Sequence, residues 1–340
     1  MFGFSKKLIT FVVPCYNSQS YMERCINTLL KAQDDCEIII VNDGSDDDTL
    51  KIAKGYRKRY PKVIKVIDKK NGGYGSAVNI GLKAANGKYF KVVDSDDWLD
   101  EQALVKLINR MKQVDGIDLF ICNYVYDHLY DGYQKVMKFD SIFFENKVTN
   151  WEEIAAFRIS QHLIMHSLIY KTKILKSIKL KLPHNSYYVD NLVAFTPLEY
   201  VNTIYYMDLN LYHFFIGRED QSVNEQVMMA RIDEQINVTK IMIDSFDMRK
   251  VERKSIKLKK YMVKYLSMMV TICDVYLNMI NDEESMEKKE KLWKYIKKKD
   301  NRLYHELQRS LSGLSNIPGK FGYYVSLIGY KIAKKLFKFN

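Results

Sequence analysis

Three carboxylates within four residues, Asp94, Asp96 and Asp97, close the stretch Lys-Tyr-Phe-Lys-Val-Val-Asp-Ser-Asp-Asp-Trp at residues 88–98. Carboxylates this close repel one another, and a fold tolerates them best around a cation. Their hard oxygens suit Mg²⁺ or Mn²⁺, which need only one or two protein carboxylates where substrate phosphates fill other positions. The plainer reading is an exposed turn whose Asp caps a helix starting near Leu99. Two upstream stretches add to the first reading. Pro14-Cys15-Tyr16-Asn17 offers the ring of Tyr16 for stacking on a base, and Asn42-Asp43-Gly44-Ser45 offers Asp43 as acceptor for a base N–H or ribose hydroxyls. A surface for the base, a partner for the ribose and a counter-charge for phosphates are what a nucleotide site requires.

These residues need strands that end beneath them. Residues 8–13, 37–41, 63–67, 89–93 and 118–123 are short apolar runs of strand type. Helical spacing separates them: a helix carrying Met22, Ile26, Leu29 and Leu30, capped by Ser18, then helices at 49–60, 76–85 and 101–111. The alternation predicts an α/β fold, a Rossmann-like, doubly wound, mostly parallel sheet with ligands at the C-terminal strand ends. Beyond Tyr124 the pattern predicts antiparallel strands to Phe144, a helix at 151–160, a strand at 168–170, a helix at 190–200 and two short strands at 203–207 and 211–215. From Gln226 onward it predicts helices at 226–246, 252–280 and 283–311, which sets a division between residues 1–225 and a helical region at 226–340.

The chain has 340 residues, enough for two domains, and its 47% hydrophobic content supports a real core. The net charge of +12 fits an anionic partner, but Asp is concentrated in residues 34–101 and the excess Lys lies mostly in the C-terminal half. With no zinc-finger spacing or RNP-like motif, a nucleic-acid module is excluded. Five cysteines at irregular spacing fit a reducing cytosol and give no metal signature. The N-terminus runs from Lys6-Lys7 into a strand, so no signal peptide is expected. The apolar stretch at 265–280 is interrupted by Thr271 and Asp274 and reads as a buried helix.

A dinucleotide oxidoreductase would place its glycine fingerprint after the first strand, where this chain has Pro-Cys-Tyr-Asn. The later Gly73-Tyr74-Gly75 has Val78 at the third glycine position, and no Walker lysine follows. The ordered set at the strand ends resembles the family-2 glycosyltransferases of GT-A fold. It comprises Pro14-Cys15-Tyr16-Asn17, Asn42-Asp43-Gly44-Ser45-Asp46-Asp47-Asp48-Thr49, Asn71 to Gly81 read as Asn-Gly-Gly-Tyr-Gly-Ser-Ala-Val-Asn-Ile-Gly, and Asp94-Ser95-Asp96-Asp97. The resemblance covers residues 8 to about 225. It implies inverting transfer of a sugar from a nucleotide-sugar donor, usually a UDP-sugar, with Mn²⁺ or Mg²⁺ as cofactor. The acceptor it implies is a hydroxyl of a cell-surface polysaccharide, a teichoic-acid-like polymer or a lipid-linked glycan.

Carried over by position, Pro14, Tyr16, Asn17 and Asp43 line the uridine, and Asn71, Gly72 and Gly73 line the donor pocket. Asp94, Ser95 and Asp96 form the Asp-x-Asp metal and diphosphate motif. Val78 stands where many relatives have Arg before the Asn. Direct displacement needs one general base on the acceptor hydroxyl. By resemblance that base is Asp190, with capping of its own helix as the alternative role. His213 is either a metal or phosphate ligand or a packed side chain, and Arg218 and Ser222 belong to a segment that closes over the diphosphate. The last twenty residues carry Lys331, Lys334, Lys335 and Lys338 on one helical face, for an anionic membrane surface or for docking on the helical region. The expected location is cytoplasmic, with the inner face of the plasma membrane as the peripheral site. The competing readings are a carbohydrate- or polyanion-binding protein without turnover, and a membrane-docking protein on the same fold.

Overall fold

The computed structural model describes residues 7–128, 132–158, 161–216 and 225–317, together with 322–324, 328 and 331. The chain forms two compact units, Met1–Ala155 with Leu163–Ile216, and Ala156–His162 with Gly217–Asn340. Nothing in the composition of residues 156–162 marks them as leaving the first unit. Their place comes from specific contacts: the Phe157 ring stacks 3.9 Å from Tyr261, and Lys264 Nζ donates to the Phe157 carbonyl at 2.8 Å.

The first unit is built on one sheet whose strands are β1 (Ile9–Cys15), β2 (Cys36–Asp43), β3 (Ile64–Lys69), β4 (Tyr89–Val92), β5 (Trp98–Leu99), β6 (Leu119–His128), β7 (Gln134–Met137), β8 (Val148–Thr149), β9 (Leu168–Lys171) and β10 (Ile204–Ile216). The order is β3-β2-β1-β4-β9-β6-β10-β5, with β7 on β6 and β8 on β10. β1 and β2 are buried along their whole length, as central parallel strands covered on both faces must be. Their runs of Ile and Val follow from that position. Helices α1 (Met22–Leu29), α2 (Thr49–Arg59) and α3 (Tyr74–Ala84) carry the chain between β1, β2, β3 and β4, and β1 pairs in parallel with both β2 and β4. All these strands therefore end at one edge. The further helices of this unit are α4 (Glu101–Gln113), α5 (Thr172–Ser177) and α6 (Asp190–Phe195).

Several expectations are corrected. Asp100 caps α4, its Oδ1 accepting from the Ala103 N–H at 2.7 Å, so Asp94, Asp96 and Asp97 are left for other roles. Ser18 does not cap α1 through its side chain; its hydroxyl meets the Ser95 hydroxyl at 2.8 Å. Residues 151–158 form a turn and extended chain, because Trp151 is buried with its Nε1–H on the Val201 carbonyl at 3.0 Å and Ala155 N–H is taken by Ile142. The two short strands expected at 203–207 and 211–215 are one strand, β10, with a register shift between Met207 and Tyr212. Asp208 and Asn210 in that bulge both accept from Asn123 Nδ2, which is why polar residues interrupt a strand that does not stop.

The second unit comprises α7 (Glu225–Ala230), α8 (Ile232–Asp244), α9 (Met248–Lys254), α10 (Ile256–Ile280), α11 (Glu283–Lys299), α12 (Asn301–Gln308) and α13 (Leu311–Ser315). Each of the three long helices expected from sequence is divided. Two of the divisions fall at polar caps: Ser255 accepts from Leu258 N–H, and Asp300 from Arg302 and Leu303 N–H. Among the described residues α10 is the one helix long and apolar enough to cross a membrane, and 67% of its apolar window is buried.

Asp274 of α10 is fully buried, its carboxylate accepting from Trp293 Nε1 at 3.1 Å and from Ser315 Oγ at 2.9 Å. Burial pushes its carboxyl up to about 7 against the opposing effect of Lys289. The folded protein therefore holds a proton here that the unfolded chain releases near pH 4, so stability contributed at this site falls as pH rises from about 4 to about 7. Thermal midpoints across that range should show Asp274→Asn gaining on the wild type as pH rises. Parallel curves would remove Asp274 as the source.

Candidate active site

The C-terminal ends of β1, β2 and β3 form one flank of the site. Pro14 is inside β1, opposite Val41. Tyr16 follows the strand and is 52% exposed, the condition for a stacking surface. Asn17 adopts a left-handed conformation, and its Oδ1 accepts from Asp46 N–H at 3.0 Å while its own N–H donates to Ser45 Oγ at 3.0 Å. Its side chain ties the first strand-end loop to the second. Asp43 is buried, with Oδ1 accepting from Gly72 N–H at 3.0 Å and from Lys69 Nζ. Gly44 has φ +71°, and a Cβ there would stand 2.7 Å from Asn71 N, so the turn at Asn71 rests directly on this glycine.

The glycine-rich turn has a second partner, the loop leading to Asp190. Gly73 has φ +80°, and a Cβ would come 2.7 Å from Asn185 N, whose N–H donates to the Gly72 carbonyl at 2.9 Å. Asn79 of α3 holds the same loop, giving Nδ2–H to the Leu182 carbonyl at 2.8 Å and taking the Leu182 N–H at 2.9 Å. Asn185 and Tyr188 are both left-handed, an uncommon conformation for a tyrosine. They turn the chain so that Asp190 opens α6. Asp190 is the first residue of α6, whose N-cap position is Val189; burial raises its carboxyl to about 6, against the pull of the backbone N–H groups of Asp190 and Asn191. Removing the two Asn79 bonds, worth about 1 kcal/mol each, frees the loop while sparing the strand ends. Asn79→Ala should cut sugar transfer by about 10-fold or more and leave nucleotide affinity near wild type in calorimetry. Equal loss of both would mean that the turn, not the loop, depends on Asn79.

The acidic stretch divides into two kinds of carboxylate. Asp97 is buried, and its oxygens accept from Tyr212 Oη at 2.6 Å and Phe215 N–H at 2.9 Å, so it anchors β10. Burial, then Asp96 and Asp94, hold its carboxyl well above the usual range. Asp94 and Asp96 are half-buried at the strand end. Asp94 Oδ1 accepts from Tyr74 Oη at 2.6 Å, and its carboxyl is pushed to about 7, first by burial, then by Asp96 and, more weakly, by Asp190. The same Tyr74 phenol is raised by burial, by Asp94 and by Asp190, so these three groups share one neighbourhood.

Behind them lies Lys91, fully buried in β4, donating to the His166 carbonyl at 2.6 Å, 5.0 Å from the Tyr212 ring centre. Burial lowers its ammonium to about 7, and Asp94 and Asp97 oppose this. His166 is buried against Tyr212, with ring centres 4.4 Å apart, and is lowered to about 3 by burial and by Lys91. One ligand atom each of Asp94, Asp97 and His166 lie within 4.8 Å of one another. Both Asp97 oxygens are already committed, and Lys91 stands beside the group, so Asp94 and Asp96 are the better hard-oxygen pair. The crowding of Asp96 and Asp190 on Asp94 is the repulsion a divalent cation relieves. His213 pairs through Nδ1 with Asp127 Oδ2 at 2.6 Å and stacks on Trp98 at 5.2 Å, with the Arg24 guanidinium 3.1 Å from the Trp98 ring centre. A carboxylate on Nδ1 is the arrangement that orients a histidine for binding through its other nitrogen. Arg218 and Ser222 lie outside the described residues, as does most of the segment at 321–340, including Lys334, Lys335 and Lys338.

Sequence reasoning missed Lys69, Tyr74 and Lys91. The signal for Lys91 is a lysine inside an otherwise apolar strand; Lys69 and Tyr74 flank the Asn-Gly-Gly turn and have no such signal.

A mixed sheet whose strand ends gather these groups is an open α/β fold with its candidate site at the C-terminal strand ends. Residues 10–176 match the family model Glycosyl transferase family 2, and this region of the chain belongs to that family. The chain is similar to the uncharacterized glycosyltransferase EpsJ of Bacillus subtilis, at 40% identity over 118 residues, 34% of each chain. It is similar to the putative glycosyltransferase EpsH of the same organism, at 28% identity over 213 residues, 61% of this chain and 60% of the relative. In these two matches the chain spans 34% and 60% of the relatives' own lengths. Its fold is that of TarS 1-349 from S. aureus, solved with UDP-GlcNAc, at TM-score 0.69 and 19% identity over 97% of this chain and 91% of that one. This is the GT-A fold. A mannosyltransferase from Pyrobaculum calidifontis, solved with GDP-Man and Mn2+, shares it at TM-score 0.51 and 11% identity over 99% of this chain and 89% of that one.

Proposed function

We propose that the protein is an inverting glycosyltransferase that moves a sugar from a nucleotide-sugar, a UDP-sugar first, to a hydroxyl of a cell-surface polysaccharide, a teichoic-acid-like polymer or a lipid-linked glycan. The observation that carries this reading is the placement of Asp190 near Asp94 and Tyr74, with its carboxyl raised to about 6. A base in that range is ionised at neutral pH yet still takes a proton readily. Asp190 removes the proton of the acceptor hydroxyl as the sugar transfers. Tyr16, Asp43, Asn71, Gly72 and Gly73 hold the nucleoside, with Pro14 and Asn17 shaping the loop. Asp94 and Ser95 face the diphosphate. Asp96, with Asp94 of the same motif and with His213 completing the shell, would hold Mn²⁺ or Mg²⁺, whose charge would offset the negative charge that builds on the departing diphosphate.

In this reading residues 1–225 are the catalytic region and residues 226–340 a helical accessory, the protein is cytoplasmic, and the basic C-terminal sequence serves either an anionic membrane surface or docking on the helical region. The relative named poly(ribitol-phosphate) beta-glucosyltransferase, from Bacillus spizizenii, at 37% identity over 31% of this chain and 17% of that protein, supports a phosphate-rich polymer as acceptor. The test is release of UDP from a panel of UDP-sugars with and without Mn²⁺. Metal-stimulated release from at least one donor is expected. A protein that binds UDP-sugars without releasing UDP in the presence of glycan acceptors would be a binding protein instead.

A further inference from the structure

In the second unit, α11, α12 and the chain beyond α13 border a cleft of about 960 Å³. One face of α11 lines it from Met286 to Lys297, at the three- and four-residue spacing of a helix stripe about 16 Å long. Tyr304 of α12, Tyr323 and Tyr324 add three rings, and Tyr324 is 59% exposed. Lys289 is half-buried in the cleft, giving one N–H to Asn278 Oδ1 at 3.1 Å and one to the Ser315 carbonyl at 2.7 Å. Both acceptors are neutral, and the third N–H is uncommitted among the described residues. Asp274, the acid that acts on this ammonium, is itself engaged with Trp293 Nε1 and Ser315 Oγ. Lys297 Nζ stands 5.5 Å from the Tyr304 ring centre, and Tyr304 meets Trp293 edge-on at 5.8 Å. Among the described residues neither Lys289 nor Lys297 has a carboxylate within ion-pair distance, whereas Lys294 is paired with Glu290 at 2.6 Å.

We propose that this cleft holds a stretch of the acceptor polymer, a phosphate-bearing glycan or alditol chain, with Lys289 and Lys297 on phosphate oxygens and the tyrosine rings against the carbons between phosphates. The proposal rests on the phosphate-rich acceptor reading above and goes beyond it by giving the helical unit a ligand. A solvated helix face balances its lysines with acids, as Glu287 with Lys291 and Glu290 with Lys294 do on this same helix. The two lysines left unbalanced both line the cleft. An ammonium meets a phosphate as a compact point charge, so it needs no planar partner. Tyrosine adds a flat apolar face with a polar tip, which suits the C–H faces and hydroxyls of a polyol. An apolar ligand would strip water from Lys289 without replacing it, and a lone phosphate would leave the rings uncovered. Holding the chain here keeps its unreacted hydroxyls at a raised local concentration, so the gain falls on the KM for polymer and not on kcat.

Calorimetry of the full chain with poly(ribitol phosphate), and with neutral dextran as control, tests this for wild type, for Lys289→Gln and for the double variant Lys297→Gln, Tyr324→Ala. The wild type should bind the phosphate polymer, more weakly as salt is raised, and should not bind dextran. Each variant should lose about 10-fold or more in polymer affinity, the range of a lost charge-assisted bond. UDP affinity and transfer to a single repeat unit should stay at the wild-type level, while the KM for polymer rises with the loss of affinity and kcat holds. Should Lys289→Gln fail to fold, the double variant decides alone, since both of its side chains are exposed. Unchanged polymer affinity in the variants, equal binding of dextran, or an equal loss of transfer to the single repeat unit would overturn the proposal. So would phosphatidylglycerol vesicles losing affinity in the variants while the polymer does not, which would give the cleft to a lipid surface. Polymer binding that is lost in the double variant, in a protein that transfers sugar to other glycans but never to this polymer, would keep the cleft and overturn the acceptor reading, so the two failures stay apart.

Discussion

Asp190→Asn is expected to bind a UDP-sugar as the wild type does, to keep its thermal midpoint, and to lose sugar transfer by the roughly 10²–10⁴-fold typical of a general base. Asn has the size of Asp and can still meet the neighbouring backbone N–H groups that act on this carboxylate. What it lacks is basicity. Burial is the main reason the Asp190 carboxyl stands near 6, so the wild-type rate should rise with pH through that region as the proton leaves. The Asn variant should show no such limb in its residual activity. A variant with near wild-type transfer would place the base elsewhere. One that no longer binds UDP would give Asp190 a role on the donor.

Asp96→Asn is expected to erase the effect of Mn²⁺ on UDP binding. In the wild type, calorimetric affinity for UDP should be much higher in Mn²⁺ than in EDTA, because the cation bridges carboxylate and diphosphate. The variant keeps the side-chain shape but withdraws one negative charge from a group in which Asp96 raises both Asp94 and Asp97. Its Mn²⁺ affinity should fall by at least the roughly 10–100-fold that loss of an outer-shell partner costs. Equal affinity for UDP in EDTA and Mn²⁺ in the wild type would remove the metal from the reading altogether. A variant that retains the Mn²⁺ effect would move the site toward Asp94, Asp97 and His166.

The strand ends were legible because parallel strands buried on both faces are written as unbroken apolar runs, and the polar residues after them stand out. Tyr16 and Asp43 each follow or close such a run. The division of Asp94-Ser95-Asp96-Asp97 into two kinds of carboxylate was not legible. It depends on Tyr212 and Phe215, more than a hundred residues away, taking both oxygens of Asp97. The bulge in β10 misled for a related reason: Asp208 and Asn210 look like a turn until Asn123 on the neighbouring strand supplies their partner. Lys69 and Asp43 are 26 positions apart in sequence, and only the register of β2 with β3 brings them together. The breaks in the helical unit escaped notice because a serine or aspartate inside a charged, Lys-rich stretch is indistinguishable from surface until it is seen accepting N–H bonds.

The stack of Arg24, Trp98 and His213 gives the protein an optical probe of its own. Imidazole quenches indole emission on contact, so the light from Trp98 depends on where the His213 ring sits. The other two tryptophans, Trp151 and Trp293, are buried. A ligand that draws His213 toward itself should brighten or shift the Trp98 signal without any label, and Trp98→Phe would show how much of the change belongs to that one ring.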